Sequence, residues 1–188
     1  CAAKFMETDG DIGQVVRLIL TSQEFVNPAN VRAKIKTPLE FIVGLIRNLN
    51  ATVDEAKIVK VFKRMGMPLF KNSVPRGWPE RGDKWINPNQ LLQRINFTND
   101  VLGNASRTPT DYVDLRAMVL SNDRQSVKQI LHFFTKLQLG RNLSELENNI
   151  ATISLNSPTP FDVDADDAEL RLRKVLGRVL AYPAYQTQ

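Results

Sequence analysis

Apolar residues recur at helical spacing in nearly every segment of this chain, and each segment is bounded by a capping residue, a proline or a glycine. This punctuated period constrains the fold more than any other feature. A strand needs alternation with a period of two and a hairpin needs a turn between two such runs, and no pair of segments supplies both. The pattern predicts an all-α protein, an irregular helical bundle of about seven or eight helices within a single domain over 1–188.

The segments can be placed one by one. Asp9-Gly10-Asp11 forms a turn that supplies a cap, and Ile12, Val15, Val16, Ile19 and Leu20 then follow one helical face towards Phe25. Thr37-Pro38-Leu39-Glu40 combines a cap, a proline suited to the first helical position and the glutamate of a capping box. Behind it Phe41, Ile42, Leu45, Ile46 and Leu49 should face inward. Further helices are expected over 54–64, 88–103, 111–120, 124–139, 144–153 and 165–182, with Asn87 and Ser144 as caps and Gly66 and Gly140 as terminators. The stretch 104–110 reads as a linker.

Residues 66–88 differ from the rest. Four prolines (Pro68, Pro75, Pro79, Pro88) and three glycines (Gly66, Gly77, Gly82) exclude a regular helix there. The same stretch holds Phe70 and both tryptophans, Trp78 and Trp85. Large aromatics gain on the order of a few kcal/mol each by burial. The expectation is a long ordered Pro/Gly/Trp loop strapped across helices.

Composition bounds the function classes. Hydrophobic residues make up 43% and charged residues 24%, an ordinary globular balance. The net charge of +5 comes from 25 cations interspersed among 20 anions, with no long basic run or stripe, which argues against nucleic-acid binding. Cys1 is the sole cysteine, so neither an internal disulfide nor a cysteine-based metal site can form. No apolar run reaches the roughly 18–20 residues of a membrane span. The opening Cys1-Ala2-Ala3-Lys4-Phe5-Met6-Glu7 reads as mid-helix, with Phe5 and Met6 as core residues, so the chain is expected to be a C-terminal fragment. A lipidated Cys1 is the competing reading.

Chemistry-bearing patterns are sparse. His132, the one histidine, reads as a partly exposed helix residue. Asp162, Asp164, Asp166 and Asp167 superficially resemble a calcium loop, yet the central glycine is missing and Glu169 falls too early. They read instead as caps for the last helix. No nucleophile elbow, phosphate loop or dinucleotide fingerprint occurs. No catalytic residue, cofactor or metal ligand is assigned. The one candidate for ligand binding is the cluster Arg76, Trp78, Arg81, Asp83, Trp85, Arg94 and Asn96, which mixes aromatic faces with forked cations able to stack on sugars or grip carboxylates. The alternative is a structural latch, in which the tryptophans fill the core and the arginines satisfy loop carbonyls.

An ordered set of motifs runs through this region: Lys36-Thr37-Pro38-Leu39-Glu40-Phe41, Gly66-Met67-Pro68-Leu69-Phe70, Gly77-Trp78-Pro79, Trp85-Ile86-Asn87-Pro88 and Leu92-Gln93-Arg94-Ile95-Asn96-Phe97. Together with Asp9-Gly10-Asp11-Ile12 and Val179-Leu180-Ala181-Tyr182-Pro183, this set resembles the C-terminal part of a bacterial family known as domain of unknown function 1800. The resemblance implies a helical fold, a longer parent protein and export from the cell. It supplies no activity and no catalytic residues. Three functions follow as expectations. The first is a helical scaffold or interaction module whose partner is another protein or the remainder of the same polypeptide. The second is a module binding a glycan or acidic polymer through the Trp/Arg loop. The third is the C-terminal part of an enzyme whose catalytic groups lie upstream.

Overall fold

The structure is a computed structural model that describes residues 1–72, 74–103 and 113–188. The described residues are all-α, with nine α-helices and no strand. They divide into two compact units, one of residues 1–34 with 187–188 and one of residues 35–186.

In the first unit, α1 (Ala2–Glu7) and α2 (Ile12–Leu20) form a short helical pair. Asp9 and Gly10 both take positive φ, 53° and 85°, to make the turn between them. The Asp11 carboxylate then caps α2 by accepting from the Gln14 N–H at 3.1 Å. Its pKa is held below the ordinary value by bonds from the Gln14 side chain and backbone. The helix stops at Leu20 rather than near Phe25, and the Ser22 N–H donates to the Ile19 carbonyl only three residues back, at 3.1 Å, which tightens the last turn. Two backbone bonds between Lys34 and Gln188, 3.3 and 2.8 Å, tie the chain end to this unit. No residue of α1 or α2 is buried, so Phe5, Met6, Ile12, Val16, Ile19 and Leu20 are exposed where a core face was expected.

The second unit holds the core. Thr37 and Glu40 form the expected capping box at the start of α3 (Pro38–Asn48), which buries Phe41, Ile42 and Leu45. Asp54 caps α4 (Glu55–Arg64), and Gly66 at φ 81° ends it. Asn87 caps α5 (Pro88–Val101). The expected linker over 104–110 and the expected start at Asp111 lie outside the described residues. Asp114 caps α6 (Leu115–Ser121). Ser126 and Gln129 form a second capping box, which starts α7 (Val127–Leu139) three residues later than expected, and Gly140 at φ 60° ends it. Ser144 and Glu147 form a third, opening α8 (Glu145–Leu155).

Helix α9 (Ala168–Ala181) is the axis of this unit and packs against α5, α6, α7 and α8. It buries Leu172, Val175, Leu176, Val179 and Leu180, while Leu170 lies outside the stripe and is half exposed. Each fully buried Leu or Val of this stripe is worth about 1.5–3 kcal/mol. The acidic run before α9 does not cap it in the expected way. Asp167 occupies the cap position, but its carboxylate is drawn to Arg171, 2.7 Å away. Asp164 pairs with Arg116 at 3.1 Å. Glu169 reaches across to α6 and accepts the N–H groups of Leu115 and Arg116 at 3.3 and 2.8 Å, so a side chain of α9 satisfies orphan donors of another helix.

Candidate functional site

The loop over 66–88 carries most of the residues singled out from the sequence, and its construction explains where each one points. Met67 and Trp85 are buried, and Leu69 and Trp78 are packed against the core. The Trp85 indole N–H donates to the Pro79 carbonyl at 2.7 Å, closing the loop on itself. The rings of Trp78 and Trp85 stand 6.2 Å apart at 59°. Gly82 lets the loop approach the segment before α3, since a Cβ there would sit 2.9 Å from the Ile35 Cβ. Phe70 departs from expectation. It is fully exposed, on a backbone at φ 57°.

Arg94 organises the base of this loop. It shares a face of α5 with Phe97, Thr98 and Val101, at i, i+3, i+4 and i+7, and is completely buried there. Its guanidinium donates to the Lys36 carbonyl at 2.6 Å, the Trp85 carbonyl at 2.9 Å and the Gln186 Oε1 at 3.1 Å. Three separate stretches of chain are thereby held by one side chain: the approach to α3, the end of the loop and the residues after α9. The cation also lies 5.0 Å from the Phe41 ring centroid. Burial lowers the Arg94 pKa to about 10, while Tyr185 and Glu40 act in the opposite direction, so the group stays charged at neutral pH. Burial pushes the neighbouring Tyr185 hydroxyl up. Lys36 sits over the Tyr185 ring at 3.9 Å.

The remaining members face solvent. Arg76 and Asn96 are exposed, and Arg81 pairs with Asp83 through 3.1 and 3.2 Å bonds at the surface. The seven residues thus divide into an interior set of Trp85 and Arg94, a half-buried Trp78, and an outer set of Arg76, Arg81, Asp83 and Asn96. The interior set makes contacts of the kind a latch requires. The position of Arg94 in the buried stripe of α5 was the signal in the sequence that separated it from the others.

A family model, described as protein of unknown function DUF1800, matches residues 1–187. The chain belongs to this family. No curated protein and no solved structure matches it. Among the described residues of this DUF1800 chain, no helix is long and apolar enough to cross a membrane.

A second feature of the DUF1800 chain was not anticipated from its sequence. A groove of about 820 Å³ opens between α7 and α8. The capping box at Ser126 sets the phase of α7, so that Lys128, His132 and Thr135 line one side, with Arg124 just before the helix. Asn142 and Leu143 close one end, and Glu145, Asn148 and Thr152 of α8 form the other side. Arg141 holds this end in shape. It bridges both oxygens of Glu147 at 3.0 and 3.1 Å, and these bonds, foremost among the causes, bring the Glu147 pKa down to about 2. The one sequence signal for the groove is the i, i+4 spacing of Lys128 and His132, which places both on one side of a helix.

Proposed function

We propose that this chain is a helical interaction module of an exported bacterial protein, and that the apolar face of α1 and α2 is where another protein surface docks. The supporting observation is that face. Phe5, Met6, Ile12, Val16, Ile19 and Leu20 are all exposed, and neither helix buries a residue. Helices of 6 and 9 residues are too short to be stable in water without tertiary cover. Exposed apolar patches of this kind mark interaction surfaces. Export is part of this proposal and rests on the family resemblance alone. The Trp/Arg loop enters this reading as a latch within the second unit.

An Ile19→Asp/Leu20→Asp variant tests the proposal. The parent chain should bind an environment-sensitive apolar dye and self-associate at high concentration in sedimentation velocity, and the variant should lose both. Its unfolding free energy should stay within about 0.5 kcal/mol of the parent, as for surface substitutions generally. A variant that unfolds like a core deletion, or that binds dye and associates as the parent does, would overturn the reading.

A further inference from the structure

The groove between α7 and α8 belongs to the second unit and is independent of the docking face proposed above. Its two sides are chemically unequal. On the α7 side stand two permanent cations, Arg124 and Lys128, and neither has a carboxylate partner among the described residues. His132 lies one turn after Lys128 on the same side and adds a ring N–H donor. The α8 side carries Glu145, which sits in the first turn of its own helix where the dipole favours it. Asn148 and Thr152 beside it are neutral. An anion entering the groove is therefore directed to the α7 side.

The lining between these sides is apolar. Val127 and Leu131 come from α7 and Leu143 from the connection to α8, and Leu131 is almost wholly buried. At about 820 Å³ the groove falls within the range of small-molecule sites, roughly 300–1,000 Å³. An apolar cleft with a few convergent polar groups at one side is the common form of such a site. The geometry points to a binding site for a small amphipathic carboxylate. Its head group lies against Arg124 and Lys128 with His132 donating, and its hydrocarbon part covers Val127 and Leu143, with Leu131 as the floor. Charge-assisted bonds to the two cations fix the orientation, and apolar burial supplies most of the affinity.

Decanoate, kept below its micelle concentration, is a suitable probe, with decanol and decylamine as controls of the same length. His132 is the sole histidine, so its ring protons give an isolated nuclear magnetic resonance signal inside the proposed site. Titration of the full chain with decanoate should shift that signal saturably, decanol should need roughly ten times the concentration, and decylamine should not shift it. Arg124→Gln/Lys128→Gln should weaken decanoate about tenfold while the melting temperature holds, and added salt should weaken the parent in the same direction. Asn148→Trp, which fills the cleft and keeps both cations, should abolish the saturable shift. Shifts that never saturate, equal shifts with decanol, or an affinity unchanged in the charge variant would each overturn the assignment. Tight binding of an acidic peptide without any binding of decanoate would also overturn it in favour of a protein ligand.

Discussion

Helices α2 and α9 carry the same kind of apolar period, yet α2 buries nothing and α9 buries six residues. Ile12, Val16 and Ile19 repeat along one face of α2 much as Leu172, Val175, Leu176 and Val179 repeat along α9. The difference lies in what surrounds each helix. Helix α9 is flanked by α5, α6, α7 and α8, whereas α2 packs with the six-residue α1. A hydrophobic period therefore states which face of a helix must be covered, and it is silent on what covers it.

The contrast can be broken most sharply at Arg94. Its burial joins three segments of the second unit, so Arg94→Met should cost about 3–5 kcal/mol by leaving the Lys36 and Trp85 carbonyls and Gln186 Oε1 without their donor. Denaturant unfolding measures this, and an unchanged midpoint would mean that the latch contributes nothing to the fold. Next in size is Leu45→Ala on α3, where the side chain is completely buried and its loss should cost about 2–5 kcal/mol. Set beside the near-zero effect expected for Ile19→Asp/Leu20→Asp, this pair measures the distance between a covered and an uncovered apolar face. Equal losses in the two variants would erase the comparison.

The smallest expected effect concerns pH. Bonds from Arg141 hold the Glu147 carboxylate down to about 2, below its ordinary 4.5. Because the folded pKa is depressed, the stabilisation is complete above the unfolded value and is lost as pH falls from about 4.5 towards 2. Glu147→Gln should flatten the stability curve of the second unit across that window. The variant should also lose part of the α8 capping box. Urea unfolding from pH 5 to pH 2 would show it, and parallel curves for parent and variant would mean that Glu147 has the same pKa folded and unfolded, so that its pair with Arg141 adds no pH-dependent stability.

Much of the secondary structure was legible because its signals are local. Thr37 with Glu40 and Ser144 with Glu147 are capping boxes whose partners lie three residues apart, and both form as read. Asp11 and Asn87 cap through the same short-range geometry. The misplaced start of α7 also had a local cause, the Ser126–Gln129 box, which fixes the first helical residue at Val127. The candidate site was legible only in part. The residue types of Trp85 and Arg94 are compatible with both a ligand-binding cluster and an interior latch. The stripe of α5 marks Arg94 for burial, but its acceptors, two of them more than 50 residues away in sequence, are named by no local pattern. Phe70 is fully exposed although an aromatic side chain favours burial in general, because no neighbouring segment among the described residues covers it.

By itself the sequence determined that this DUF1800 chain is helical, where most helices begin and end, and that prolines and glycines exclude a regular helix between α4 and α5. These properties depend on hydrogen bonds and torsions that reach only a few residues along the chain. Tertiary structure decided which apolar faces are covered, that Arg94 is an interior cation, and that Arg124, Lys128 and His132 border one groove. Those outcomes depend on packing between segments far apart in sequence, where burial and unpaired charge are set by neighbours that no local pattern names.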